Sequence, residues 1–565
     1  MLDQYRNTYD ELMNDLHKSK FLVRGLLVVF CMVWFYGLGA RTLVPTDEGR
    51  YAEMAREMVT TNDWITPRLN AIKYFEKPPL QTWMNALTFK LFGLGEWQAR
   101  LWTGLCGLLG IALVAYTGGR VFNQRVGFTA ELVLASSIYW AAMGHINALD
   151  MGLAAMMTVS LCALLMAQRN DADARERRNW MMVCWAGMAM AVLSKGLIGV
   201  VLPGAVLVLY TLLSRDRAIW KRLHLGSGLL VFFAITAPWF ILVSLANPEF
   251  PQFFFIHEHF QRFTSKIHNR AGPWYYFIPI LVLGIMPWLG VLVQSLWSGR
   301  HDEEKGFQPK KLLLIWSGFI FFFFSISGSK LPSYILPIFP ALALLIACQL
   351  ENASHKTIAF AAGLLALVSA IGLAFVPKIP ALGRESYAHP LYQSFSHWVA
   401  AAAILMLAGS LLAIWLARRQ KQWAILVLAG TGFIGGQILM LGHDPLGRYS
   451  AGVLHIPAIQ AELTPQTPIY AVGRYEQVLP FYLRRTFILV EHADEMAFGL
   501  QHEPNLWLPT RDAFVAVWNA EHANGKKAVA ILDVEVYADF LKRGVPMRII
   551  AQDPRRVIVT NDVKK

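Results

Sequence analysis

The chain has 565 residues, of which 55% are hydrophobic and only 16% charged, too little polar surface for a water-soluble globule of this size. A formal net charge of +13 is what basic loops on the inner side of a membrane protein produce, so it does not argue for a nucleic-acid partner. All five cysteines (Cys31, Cys106, Cys162, Cys184, Cys348) fall inside apolar runs at unpaired spacings, which excludes a disulfide framework or a zinc finger.

The N-terminal MLDQYRNTYDELMNDLHKSK is a polar lead before an apolar run of spanning length, with no small-residue cleavage pattern, and reads as an uncleaved anchor. Apolar stretches long enough to span lie near residues 21–40, 98–119, 127–145, 149–168, 180–194, 196–213, 227–246, 275–297, 312–327, 334–350, 358–377, 398–417 and 423–441, predicting about thirteen transmembrane helices. With the N-terminus in the cytoplasm, alternate loops carry GGRVFNQR, QRNDADARERRN, SRDRAIWKRLH, SGRHDEEKGFQPKK, ENASHKT and ARRQKQ, nearly all rich in Lys or Arg. That excess marks the cytoplasmic side and sends everything after residue 441 to the opposite face, a periplasm if the cell is bacterial.

Two long loops lie on that outer face, residues 41–97 and 247–274, with short turns containing Lys195 and Lys330. Cations should be scarce there, yet the first loop holds Arg50, Arg56, Lys73 and Lys77 and the second Arg262, Lys266 and Arg270. Their convergence at headgroup depth suits a phosphate. Taken singly, each has a plainer explanation: a snorkelling Arg262, or Lys195 and Lys330 as ordinary ends of membrane segments.

Within the first loop, PTDEGRYAEMAREM predicts an interfacial amphipathic helix with Tyr51, Met54 and Met58 on one stripe and Glu53, Arg56 and Glu57 on the other. Thr46 or Asp47 suits its N-cap, so Asp47 is either that cap or a functional acid. Downstream, YFEKPP holds Tyr74, Glu76 and Lys77 before a rigid Pro-Pro unit. Asp150, in HINALD, suits a cap or a pairing partner at the mouth of another helix pair. In FFFIHEHFQRFTSKIHNR, His257 and His259 are two apart, wrong for one helix face but acceptable as ligands in a loop or strand; interfacial histidines beside aromatic anchors are the alternative. Residues 442–565 alternate short β-branched runs with amphipathic helical ones and predict a small α/β domain outside the membrane. The chain shows no internal repeat, glycine-rich phosphate loop or dinucleotide fingerprint, so no nucleotide cofactor is expected.

The motifs TDEGRYAE, TNDW, KYFEKPP, HEHFQRF, RAGPWYY and SKLPSYILP, in this order, resemble those of the GT-C class of membrane glycosyltransferases, closest to the bacterial lipid A aminoarabinose transferases and more distantly the protein O-mannosyltransferases. The resemblance covers the whole chain and implies an all-α polytopic membrane domain over residues 1–441, with juxtamembrane helices, followed by a periplasmic α/β domain over 442–565. It implies transfer of 4-amino-4-deoxy-L-arabinose from undecaprenyl phosphate to a lipid A phosphate at the periplasmic face of the inner membrane, which alters lipopolysaccharide charge and polymyxin resistance. By this likeness Asp47 lies at the reaction centre, Arg50, Lys77 and Arg262 hold the donor phosphate with Lys195 and Lys330 in support, and Tyr74 and Tyr334 orient the donor. Tyr51, Asp150 and Arg270 join the positioning set. Glu76 and His257 match positions associated with a divalent metal, zinc by preference, with His259 as the next candidate ligand. The partners implied are the lipid-linked sugar, lipid A and membrane lipids, with the chain acting as a monomer. A transferase of another lipid-linked sugar, or one acting on protein Ser/Thr, fits the same class. A lipid-linked sugar flippase fits less well, because transporters place charges at the membrane midplane and show repeated halves.

Overall fold

The computed structural model describes residues 19–261, 272–300, 306–383 and 385–562. Among the described residues nine helices are long and apolar enough to cross a membrane, or ten if the pair Phe277–Gly284 and Leu289–Ser298, bent by 107°, counts as one span. Each of the thirteen expected stretches meets a helix or a broken helix, but not all are spans by length and composition. The segment expected at 127–145 breaks between Gln124–Ser136 and Ile138–Met143, where the Ser136 and Ser137 hydroxyls bond back to Leu132 and Val133 carbonyls and bend the chain. Ala174–Lys195 opens on ARERRN, whose charges hold its first turns out of apolar surroundings, and Ile198–Ser214 has only 17 residues. The bent pair is interrupted at Pro287, which has no N–H to continue a helix.

The helix Asp47–Thr61 is not amphipathic at a surface. Residues Glu48 to Met58 are all buried, because membrane helices cover one side and the C-terminal domain the other. Ala52, Ala55 and Met58 pack with Phe89, Ala99, Val478 and Phe481, while Tyr51 and Met54 join Ile469, Leu489 and Ile531. A Cβ on Gly49 would collide with the Gln477 carbonyl, so glycine permits this close approach. The helix start is fixed by Glu48, 1% exposed, which takes a two-pronged ion pair from Arg100 at 2.6 and 2.8 Å and also accepts from the Val44 and Asn147 backbone N–H groups. Burial opposes the charge on Glu48, but Arg100 outweighs it and holds the carboxyl below the ordinary carboxylate range.

The C-terminal domain is a six-stranded mixed sheet in the order β5-β4-β3-β6-β8-β7, with β3 (Ile469–Val472), β4 (Ile488–Val490), β5 (Trp507–Leu508), β6 (Val529–Leu532), β7 (Arg548–Asp553) and β8 (Arg556–Thr560). The β3, β4, β5 and β6 neighbours are parallel, and β8 is antiparallel to both β6 and β7. Central β3 and β6 are buried throughout, as two-sided parallel strands require. One face packs on Phe514, Trp518 and Phe540 from the helices Arg511–Ala523 and Val534–Lys542; the other packs on Tyr51, Leu69, Ile72 and Tyr74 of the first outer loop. The expected α/β domain is therefore present, and its sheet shares a core with the loop that carries the candidate site.

Removing one partner of a buried, fully hydrogen-bonded pair strands the other charge. Glu48→Gln should cost about 3 kcal/mol, seen as a lowered Tm of the purified protein in detergent. Glu48→Gln combined with Arg100→Met should recover part of that loss; equal Tm values for wild type and Glu48→Gln would contradict this role.

Candidate active site

Asp47 opens its helix without a cap from Thr46, whose side chain makes no capping bond. Instead the Asp47 carboxylate lies 3.4 Å from Arg50, and it is 42% exposed where Arg50 is only 9% exposed. The acid thus faces the open side and the guanidinium lies behind it. Arg50 reaches the C-terminal domain through a 2.7 Å ion pair to Glu495 and lies 5.9 Å from the Tyr74 ring centroid. Among the described residues its Nε, which is buried, has no hydrogen-bond partner, and neither does the buried Tyr74 hydroxyl. Buried donors are rarely left unspent, so these two mark a place prepared for an acceptor. Burial, reinforced by Asp47 at Tyr51 and by Glu76 at Tyr74, pushes both phenols well above their ordinary value and keeps them neutral donors. Burial likewise raises the Glu495 carboxyl, against the pull of Arg50.

A second layer adjoins the first. Lys195, at the end of its helix, is paired with Asp150 and stands 4.7 Å over the Tyr334 ring. Tyr334 lies in the short 3-10 turn Pro332–Ile338. Lys330 donates to the Ser327 carbonyl and packs along Gly272. Asp47, Arg50, Tyr51, Tyr74, Glu76, Asp150, Lys195 and Tyr334 are joined by contacts or mutual electrostatic influence, which brings together residues from four separate parts of the chain.

Lys77 closes another side. Its ammonium lies 2.8 Å from the Glu76 carbonyl, 3.8 Å from the Glu76 carboxylate and 3.3 Å from Glu258. Glu258 and His257 stand not on a loop or strand but on the π-helical segment Gln252–Gln261, a form often found at functional sites. His257 is half exposed, stacks on Phe253 with centroids 5.1 Å apart, and has Nδ1 3.8 Å from Glu258. Lys77 thus links Glu76 to Glu258, and Glu258 in turn adjoins His257. Among the described residues no group of three or more His, Cys, Asp or Glu side chains is disposed to hold a metal. Glu76 and Glu258 offer carboxylate oxygens and His257 a ring nitrogen that a divalent cation could take as ligands, and they share this corner with the Lys77 ammonium. Arg262 and Arg270, and the side chain of His259, lie outside the described residues.

Three acids carry no functional signal in the sequence. Glu258 lies between the two histidines, whose spacing draws the metal reading. Glu495 lies in HADEMAFG, which carries no motif, and only the packing of the C-terminal domain brings it to Arg50. Glu57, expected on a polar stripe, is buried and accepts the Asn70 and Ala71 N–H groups at 2.6 and 2.7 Å. These two residues form the tip of a hairpin between β1 (Arg68–Leu69) and β2 (Ile72–Lys73), which leads directly into Tyr74, Glu76 and Lys77.

Residues 76–242 match the family described as dolichyl-phosphate-mannose-protein mannosyltransferase, and residues 455–561 match the aminoarabinose transferase C-terminal domain. A Proteus mirabilis protein named undecaprenyl phosphate-alpha-4-amino-4-deoxy-L-arabinose arabinosyl transferase 2 is 32% identical over 394 residues, covering 68% of this chain and 69% of its own. The Edwardsiella ictaluri transferase of the same name, without the number, is 28% identical over 518 residues, 88% of this chain and 91% of its own. The crystal structure of ArnT from Cupriavidus metallidurans bound to undecaprenyl phosphate superposes with a TM-score of 0.91 at 42% identity, covering 97% of this chain and 99% of that one. The chain belongs to the aminoarabinose transferase family. It is a polytopic membrane glycosyltransferase with the GT-C fold. An Archaeoglobus fulgidus oligosaccharyltransferase, TM-score 0.51 at 14% identity over 92% of this chain and 70% of its own, shares the fold alone.

Burial, then Glu53, pushes the Glu57 carboxyl from 4.5 up to about 8. A carboxyl raised on folding contributes stability that is complete below its unfolded value and is lost as the pH rises through the folded one. Wild type should therefore lose thermal stability relative to Glu57→Gln, which cannot ionise, as the pH rises from 5 to 8.5. A Tm difference between the two that does not change with pH would contradict the shift.

Proposed function

We propose that this transferase moves 4-amino-4-deoxy-L-arabinose from undecaprenyl phosphate to a phosphate of lipid A, at the periplasmic face of the inner membrane, acting as a monomer. The observation that carries the donor assignment is Arg50: a buried guanidinium behind an exposed Asp47, with an N–H that, like the neighbouring Tyr74 hydroxyl, has no partner among the described residues. It supports a site for a lipid phosphate, and the ArnT relative of the same fold is bound to undecaprenyl phosphate. The excess of Lys and Arg on alternate loops supports the orientation.

In the reaction proposed, an oxygen of the acceptor phosphate attacks the anomeric carbon, the bond from that carbon to the donor phosphate oxygen breaks, and undecaprenyl phosphate leaves with the electron pair. Negative charge grows on the leaving phosphate. Arg50, buried, and Lys77, half-buried, are already placed to stabilise it, each well-aimed donor contributing about 3 kcal/mol. Tyr74 donates as a neutral phenol, Tyr334 helps orient the donor, and Lys195 and Lys330 supply positive field. By the family likeness, Arg262 is proposed for the donor phosphate and Arg270 for substrate positioning. A phosphate acceptor is ionised at neutral pH and needs no base. Asp47 then orients the sugar, through its cationic amine, or supports the oxocarbenium-like transition state, with Tyr51 and Asp150 fixing its surroundings.

The test is mass spectrometry of lipid A from a strain that makes the donor but lacks its own transferase. Wild type should add a pentosamine-sized mass, and Asp47→Asn and Lys77→Ala at equal expression should reduce it at least about 100-fold. No added mass with well-expressed wild type would discard this sugar or acceptor and leave the transferase class standing.

A further inference from the structure

We infer that Glu57 is a positioning residue for the transfer reaction: its buried carboxyl group clamps the tip of the β1–β2 hairpin and thereby sets the Tyr74–Lys77 segment against the donor. The inference rests on the donor site proposed above. Glu57 is 4% exposed and never faces the open side of Asp47, so its effect has to pass through the hairpin.

The tip residues Asn70 and Ala71 both adopt left-handed backbone, at φ 57° and 62°. Asparagine tolerates this conformation, but alanine pays about 1 kcal/mol or more for it. Something must hold Ala71 there. Both Glu57 oxygens do so, one accepting Asn70 N–H and the other Ala71 N–H. The Asn70 side chain then pairs in both directions with the Phe487 backbone of the C-terminal domain, at 2.6 and 2.7 Å. Three residues beyond Ala71, the Tyr74 N–H closes the hairpin on the Pro67 carbonyl at 2.9 Å. Tyr74, Glu76 and Lys77 follow without a break and are halted by Pro78-Pro79 before the helix Leu80–Phe92. The segment is thus fixed at the far end by prolines and at the near end by the hairpin, whose geometry depends on Glu57.

The carboxyl group suits the task even when protonated, because its hydroxyl oxygen, with the proton turned toward Glu53, keeps a lone pair for the tip. A glutamine has one accepting oxygen, and its NH2 would face an N–H group, so Glu57→Gln loses one of the two tip bonds without changing side-chain size. Released, Ala71 relaxes toward negative φ and carries Tyr74 and Lys77 with it. A displacement near 1 Å in a positioning element can cost about 100-fold in rate.

The experiment compares full-length wild type, Glu57→Gln, Glu57→Gln with Ala71→Gly, and Ala71→Val. It reads kcat and KM for the lipid-linked donor, undecaprenyl phosphate affinity, amide hydrogen exchange across residues 68–77, and Tm. Glu57→Gln should lower kcat by about 30-fold, weaken undecaprenyl phosphate binding and speed exchange in the hairpin. Glycine at 71 adopts positive φ without a clamp, so Ala71→Gly should restore most of the rate. Ala71→Val leaves Glu57 in place but penalises the left-handed tip, and should reproduce the kinetic loss; this keeps the test open if Glu57→Gln does not fold. Wild-type kinetics in Glu57→Gln or Ala71→Val, or no rescue by Ala71→Gly, would overturn the inference. A wild type that transfers no sugar would sink the proposed reaction, while hairpin exchange and undecaprenyl phosphate affinity would still judge the clamp.

Discussion

The ion pair between Glu48 and Arg100 is the joint on which the candidate site hangs. Arg100 stands on the long membrane helix Glu96–Val121 with no exposed surface and spends its donors on Glu48 and on the carbonyls of Leu38, Arg41 and Thr42. One guanidinium thus ties together the end of the first apolar helix, the strand-like exit from it and the start of the helix that carries Asp47 and Arg50. Glu48 extends the same lock to Asn147, which accepts from Gln81 and Asn85 beyond it. A buried charge tolerates such an environment only when its bonds are complete, so the arrangement admits little positional slack. Asp47, one residue away, inherits that precision.

The C-terminal domain is part of the same construction. It supplies Glu495 to Arg50, Glu503 to Arg68 and to the Lys73 backbone, and Phe487 to the hairpin tip. A Cβ on Gly499 would meet the Lys73 carbonyl, so the helix Ala497–His502 presses on β2 at backbone distance. The first outer loop packs against both the membrane helices and the C-terminal domain. Neither the membrane helices nor the α/β domain alone would leave Arg50 desolvated, and a guanidinium kept from water is worth more to a phosphate than one at the surface.

Much of this was legible in the sequence, for identifiable reasons. Apolar run length located the membrane helices, and the cations of the first long loop pointed to residues that the fold brings together. The thirteen-span count was less secure because run length does not register a serine pair that bends a helix or a charged first turn such as ARERRN. Periodicity made the helix Asp47–Thr61 amphipathic, and it failed because Glu48, Glu53, Arg56 and Glu57 are polar residues satisfied inside the protein rather than by water. Glu495 had no local signature at all: its role arises from a contact spanning more than four hundred residues of chain.

The central claim is that the desolvated Arg50 receives the phosphate of a lipid carrier. The direct measurement is the equilibrium affinity of purified wild type and Arg50→Gln for undecaprenyl phosphate in nanodiscs, at fixed ionic strength and with Tm recorded for both. The account expects saturable binding by wild type and a loss of about tenfold or more in Arg50→Gln at similar Tm. Equal affinity of the two well-folded proteins would contradict it and move the phosphate site away from Arg50.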